Sequence, residues 1–213
     1  VMKRANIARF GADVTVVDGY YDDAQREANL RQACTGALMI HPFDHRLTVA
    51  GQGTMSRELE AQYDGFDTIL VASGGGGFIA GQAAWWRDRR RVVSVEPESS
   101  RCVQAALAAG ERVEVPVAGL AADSLGSRVV GEVPWSVVRS YVDVAVTVPD
   151  DEIRAAQRAI WDDLRLVAEP GGAAALAALR SGAYVPERGE RVAVVVCGSN
   201  CDPATVVGPS AAG

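Results

Sequence analysis

The segment Val71-Ala72-Ser73-Gly74-Gly75-Gly76-Gly77 runs an apolar strand pattern into four glycines, and Phe78-Ile79-Ala80-Gly81 then opens a helix pattern. Without Cβ atoms the backbone can approach a ligand closely, and successive N–H groups at a helix start favour an anion such as phosphate. A merely flexible turn is the competing explanation, but four glycines cost considerable conformational entropy for no return in packing. A Walker loop would end in Gly-Lys-Ser/Thr, whereas Phe78 follows Gly77; a dinucleotide fingerprint started at Gly74 would place Ile79 where its third glycine belongs. Glu96, at the end of the next apolar run, stands where a ribose-binding acid could lie, so a nucleotide remains an alternative. The glycine run suits a single phosphomonoester better.

A second strand-to-loop junction lies at Val194-Val195-Val196-Cys197-Gly198-Ser199-Asn200-Cys201-Asp202. Ligands of open α/β sheets sit beyond the carboxyl ends of the strands, so both loops could border one cleft. Cys197 and Cys201 lack a second pair of ligands, which argues against zinc, and a buried hydrophobic role for Cys197 is equally open. The only histidines, His41 and His45, have helical spacing, but Pro42 lies between them and no Gly-x-Ser-x-Gly elbow accompanies them. They read as loop and boundary residues. Trp85-Trp86 beside Arg87–Arg91 reads as a helix end with snorkelling arginines rather than a base-stacking surface.

These loops need a sheet to hold them. Strands are expected at Asp13–Val17, Ala37–His41, Thr68–Ala72, Val92–Glu96, Val144–Val148 and Val192–Cys197. Most are continuous apolar runs, as suits strands buried on both faces of a parallel sheet. Helix patterns lie between them, at Arg4–Phe10, Asp22–Gln32, Thr54–Gln62, Phe78–Arg87, Cys102–Ala108, Ile153–Leu164 and Ala173–Ser181. The alternation predicts an α/β fold with an open, mostly parallel twisted sheet and helices on both faces. Residues 110–143, with Pro116 and Pro134, break the alternation and read as an irregular connection with short helices. A composition break near Pro42–Arg46 suggests two parts, residues 1–48 and 49–213.

The 213 residues are 48% hydrophobic and 23% charged, a globular composition able to bury its own core. A net charge of −6 leaves no footprint for nucleic acid or an anionic membrane, and the longest uncharged stretch is broken by the glycine run. No secretion signal opens the sequence, and four cysteines without secretory context suit a reducing, cytoplasmic compartment. Of the 21 basic residues only Lys3 is a lysine, so chemistry needing a buried lysine amine must use Lys3 or come from elsewhere.

Taken in order, His41-Pro42-Phe43-Asp44, Ala50-Gly51-Gln52-Gly53-Thr54, the glycine run, Val95-Glu96-Pro97-Glu98, Val167-Ala168-Glu169-Pro170-Gly171-Gly172-Ala173 and Cys197–Asp202 resemble one family. It is the serine/threonine dehydratases among the fold-type II (tryptophan synthase β-like) pyridoxal-phosphate enzymes, with serine racemase a close relative. The resemblance runs from about Lys3 to Thr205 and matches the family's C-terminal two thirds. It implies that residues 1–48 are the remainder of a small cofactor-capping domain and residues 49–213 the large cofactor-binding domain without its N-terminal lysine segment. It also implies pyridoxal 5'-phosphate as cofactor, held by the backbone of Gly74, Gly75, Gly76, Gly77 and Phe78. Cys197, with Gly198 beside it, would stand against the pyridine nitrogen, and Glu169 close to the ring. Glu96 and the carbonyl of Ser100 match the family's divalent-cation site, where Cys102 replaces the usual aspartate, and Ala122-Asp123-Ser124 stands where many members have Ala-Asp-Gly.

The family's cofactor-binding lysine precedes the region that Lys3 matches, so no catalytic residue is identifiable here and the chain alone is expected to be inactive. The complete protein would be a homodimer that takes a small hydroxyamino acid, L-threonine or L-serine, to a 2-oxo acid and ammonia. The missing N-terminal segment would be supplied in cis or in trans. A racemase-like or other hydroxyamino-acid lyase activity, or a non-catalytic phosphate- or nucleotide-binding module, are the alternatives.

Overall fold

The computed structural model describes residues 2–18 and 21–207. It divides into two compact units, 1–41 and 42–213. The first holds α1 (Met2–Arg9) and α2 (Tyr21–Thr35), and Arg31 reaches back from α2 to Asp13 at 3.2 Å and Thr15 at 3.1 Å. Neither Asp13–Val17 nor Ala37–His41 forms a strand. A β-rich sequence becomes a strand only beside another edge that takes up its N–H and C=O groups. None does so here among the described residues, and Leu38 and Ile40 are 86% and 74% exposed.

The second unit begins with α3 (Arg46–Gln62), whose N-cap His45 accepts the Leu47 N–H on Nδ1 at 3.3 Å. This helix runs straight through position 48, so residues 42–48 belong to the same compact unit as the sheet. Then follow β1 (Thr68–Ala72), α4 (Gly77–Trp86), β2 (Arg91–Pro97), α5 (Cys102–Ala109), α6 (Ala122–Leu125), α7 (Glu132–Tyr141), β3 (Val144–Val148), α8 (Asp150–Leu164), α9 (Pro170–Ser181), β4 (Val192–Val194) and α10 (Ala204–Val207). The strands form one all-parallel sheet in the order β3-β2-β1-β4. β4 is shorter than its apolar run, although Val195 still donates to the Leu70 carbonyl at 3.1 Å.

The period-2 geometry of a strand sorts β1 between two cores. Leu70 and Ala72 face α8 and α9, where Ile153, Ile160 and the alanines of α9 are fully buried. Ile69 and Val71 face the other layer, with Ile79, Trp86, Val103 and Val138. Trp86 is buried edge-on to Phe66, with ring centroids 5.2 Å apart. The Arg89 and Arg90 guanidinium groups lie 5.3 and 5.7 Å from its centroid, which gives the two-tryptophan segment a packing role.

Helix α7 lies in the stretch that sequence punctuation marks as irregular. Pro134 is its third residue, where the missing N–H has no intrahelical acceptor to lose. Its free N–H groups are capped from a distance: Asp44 accepts from Glu132 at 3.0 Å and from Val133 at 2.8 Å.

Candidate functional site

The glycine run joins β1 to α4 at the carboxyl edge of the sheet. Gly76 is the N-cap of α4 with φ of +89°, a conformation that side-chain-bearing residues rarely adopt. Ala80 donates to the Gly76 carbonyl at 2.9 Å and so closes the first turn; the N–H groups before it have no intrahelical acceptor and carry the positive end of the helix dipole. Helix α4 is pinned to α3 by buried Gln82, which accepts from Ser56 at 2.5 Å and donates to the carbonyls of Gln52 (2.7 Å) and Phe78 (3.1 Å). Gly53 and Gly81 let the two backbones meet: a Cβ on Gly81 would lie 2.6 Å from Gly53 N and 2.7 Å from the Val49 carbonyl. The loop therefore stands on a fixed base.

A cleft of about 400 Å³ opens over it, lined by Gly74, Gly75, Gly76, Gly77 and Phe78 on one side and by Glu169, Gly171, Gly172 and Cys197 on the other. The two strand-to-loop junctions singled out in the sequence thus share one cleft. Gly198 is not among the lining residues. With φ of +76° it turns the chain and gives its carbonyl to the Glu169 N–H at 3.0 Å, fixing the residue at the head of α9. Burial, then the neighbouring Glu169 charge, pushes the Cys197 thiol above its ordinary range, so it stays protonated at neutral pH.

Sequence patterning missed Phe43, Ser124 and Leu125, which also line the cleft. A Cβ on Gly75 would meet the Phe43 ring at 2.6 Å, one on Gly77 the Phe43 backbone at 2.8 Å, and one on Gly74 the Leu125 Cα at 3.0 Å. A Cβ on Gly76 would lie 2.8 Å from Val130 Cγ2, so all four glycines are hemmed in by the protein's own packing, besides any room they leave for a ligand. The available signals were the His41-Pro42-Phe43-Asp44 and Ala122-Asp123-Ser124 motifs, and nothing in either pattern says which way Phe43 or Ser124 turns. Ser73, at the strand end, is not a lining residue; its buried hydroxyl accepts from Ser94 at 2.9 Å.

Glu96, Ser100 and Cys102 lie outside the cleft lining. Glu96 is completely buried at the end of β2, and its two carboxyl oxygens accept the Val103 and Gln104 N–H groups of α5 at 2.9 and 2.7 Å. It caps a helix and does not face a ribose in the cleft. Burial pushes its carboxyl up to about 8, against the opposing pull of the two amides and Arg101. A raised acid stabilises the fold fully below its unfolded value near 4.5, and that contribution is lost as pH rises towards 8. Glu96→Gln removes the titration while leaving one amide without an acceptor. Urea unfolding at several pH values between 5 and 8 is expected to show the variant offset downwards but less pH-dependent than the parent; parallel profiles would contradict this. Among the described residues no three His, Cys, Asp or Glu side chains gather as a metal centre, and all four cysteines are free thiols. No helix there is long and apolar enough to cross a membrane.

Comparison with known proteins fits this geometry. The family model described as pyridoxal-phosphate dependent enzyme matches residues 1–198. The biosynthetic L-threonine dehydratase IlvA of Salmonella typhimurium is 37% identical over 197 residues, covering 90% of this chain and 38% of its own. Among solved structures, maize serine racemase superposes with a TM-score of 0.89 at 30% identity, over 96% of this chain and 64% of that one. The processed form of threonine deaminase isoform 2 from Solanum lycopersicum gives 0.86 at 28%, over 94% and 56%. The chain spans about two fifths of the length of the curated dehydratases it matches. A parallel sheet carrying a glycine loop at a helix start, and a family match over nearly its whole length, lead to one conclusion: the chain belongs to the pyridoxal-phosphate dependent enzymes.

Proposed function

We propose that this chain forms the cofactor-binding part of a pyridoxal-phosphate dependent L-threonine/L-serine dehydratase, which eliminates the β-hydroxyl to give a 2-oxo acid and ammonia. The observation that carries this reading is that Gly74–Phe78, Glu169 and Cys197 line one cleft. The donor set fits the cofactor: backbone N–H groups at the start of α4 suit its phosphate, and a protonated thiol across the cleft suits a pyridine nitrogen. When bound, the cofactor supplies an electron-withdrawing ring that acidifies the substrate's Cα–H.

The chain's own residues do the rest. The glycine loop anchors the phosphate, and Phe43 and Leu125 keep the loop in shape. Cys197 offers a weak, neutral partner to the ring nitrogen, which leaves the ring less electron-poor than a carboxylate would and suits elimination of a hydroxyl. Glu169, fixed by its N–H bond to Gly198, stands where its carboxyl can meet the ring's surroundings. The proton transfer at Cα belongs, on this reading, to a lysine from sequence outside these 213 residues, in cis or in trans, because the family resemblance matches Lys3 to a surface helix position and not to the cofactor-binding lysine. The complete protein, on this reading, is a cytoplasmic homodimer, as the family resemblance implies.

The test is to load the chain with ring-¹⁵N pyridoxal phosphate and follow the nitrogen shift. Cys197→Ser is expected to leave the nitrogen as in the parent, whereas Cys197→Asp moves it towards the protonated position. Identical shifts in all three proteins would make Cys197 a packing residue and remove the ring contact from this account.

A further inference from the structure

The corner where β2 turns into α5 is the place at which the family resemblance leads one to expect a divalent cation, and its residues do not fit one. Mg²⁺ demands near-octahedral oxygen ligands and Ca²⁺ six to eight of them, typically with several carboxylate oxygens. Of the three residues expected to form the site, Glu96 alone carries a carboxylate, and both its oxygens already accept the Val103 and Gln104 N–H groups. Ser100 can offer only its main-chain carbonyl, one neutral oxygen, because its hydroxyl donates to the Leu125 carbonyl at 3.1 Å. Cys102 brings sulfur, a soft ligand only as the thiolate.

The Cys102 thiol has another use. Cys102, 1% exposed at the first position of α5, donates its S–H to the carbonyl of Gly74 at 3.2 Å. Gly74 is the first glycine of the loop, and on its other side it packs against Leu125, the residue whose carbonyl Ser100 holds. The start of α5 is therefore tied to the loop directly through Cys102 and indirectly through Ser100 and Leu125. A carbonyl turned towards the thiol leaves the peptide N–H that follows it facing the opposite way, as planarity of the trans peptide requires.

We propose that the Cys102–Gly74 hydrogen bond does in this chain what a bound cation would do at the same corner: it positions the glycine loop, making both the fold and the loop's phosphate affinity independent of divalent cations. Cys102 is a positioning residue, since it touches the loop and not the cleft. The affinity half of this proposal rests on the phosphate-loop reading above, whereas the cation half does not.

The experiment uses the 213-residue chain and its Cys102→Ser, Cys102→Ala and Cys102→Asp variants. Thermal unfolding is recorded in EDTA and in millimolar Mg²⁺, Ca²⁺ or Mn²⁺, and pyridoxal phosphate is titrated under each condition. The parent should show the same Tm and the same Kd in EDTA and with every cation. Cys102→Ala should bind roughly fivefold more weakly, the worth of about one hydrogen bond, and Cys102→Ser should recover most of that loss because it keeps a donor. Cys102→Asp, which adds a second carboxylate, should lose Tm in EDTA and regain it with a divalent cation. A saturable cation-induced rise in the parent's Tm, a Cys102→Ala variant that binds like the parent, or a Cys102→Asp variant indifferent to cations would each overturn the proposal. Failure of the phosphate-loop reading looks different: the parent then binds no pyridoxal phosphate, and the Tm series with cations still decides the proposal.

Discussion

Replacing Gly172 by alanine is expected to lower the stability of the chain by about 3 kcal/mol or more, roughly 10 °C in Tm for a protein of this size. A Cβ there would lie 1.7 Å from the Cys197 carbonyl oxygen and 2.6 Å from that of Gly198. Both are backbone atoms, so no rotamer change relieves the clash; α9 and the loop after β4 must separate. The same step undoes the Cys197 N–H bond to the Gly172 carbonyl and shifts the Gly198 carbonyl away from Glu169, so one methyl disturbs a whole wall of the cleft. Gly51→Ala is the control. Gly51 sits within α3 with nothing within 4 Å of the added Cβ, and the substitution should be neutral or stabilising by up to about 1 kcal/mol. Urea or thermal unfolding of both variants checks the pair, and similar stabilities would contradict the packing described for α9.

The second large effect is expected on ligand binding. In Gly76→Ala the residue at φ +89° gains a Cβ 2.8 Å from Val130 Cγ2 and 3.0 Å from Pro134 Cβ. The left-handed conformation alone costs roughly 1–2 kcal/mol, and relief requires turning the peptides whose N–H groups face the cleft. Pyridoxal phosphate affinity should therefore fall about tenfold or more, which is ~1.4 kcal/mol, with a smaller effect on Tm than Gly172→Ala. Ser73→Ala should leave affinity within about twofold, since its hydroxyl is engaged with Ser94 and not with the cleft, and a neutral hydrogen bond is worth only ~1 kcal/mol in any case. Equal affinities for the parent and Gly76→Ala, measured by fluorescence titration, would sink the cradle.

The sheet was legible because buried parallel strands are written as apolar runs: β1 and β3 fall on the residues the pattern marks, and β2 within a residue at each end. Asp13–Val17 and Ala37–His41 carry the same composition and form no strand, because propensity says nothing about whether a partner edge is present. Short helices were expected in residues 110–143, but the bounds of α7 were not marked, because it contains Pro134, which breaks helices in their interior but not in their first turn. The site divides in the same way. The two loops announce themselves through glycine and small residues at strand ends, and Glu169 stands out only through the family motif around it. Phe43, Ser124 and Leu125 come from segments distant in sequence, and only tertiary folding brings them to the loop. The glycines themselves carry a second purpose that composition does not reveal, since the neighbours of Gly74, Gly75, Gly76 and Gly77 crowd the place of a side chain.

The most direct test of the account is an amide NMR titration of the ¹⁵N-labelled chain with pyridoxal phosphate, followed by borohydride reduction and peptide mapping. The account predicts saturable shifts of the Gly74–Phe78 amides together with those of Glu169 and Cys197, competition by inorganic phosphate, and release of the ligand on dialysis without a stoichiometric adduct on Lys3, the only lysine in the sequence. Saturable binding that leaves the Gly74–Phe78 amides unmoved, or no saturable binding at all, would contradict it.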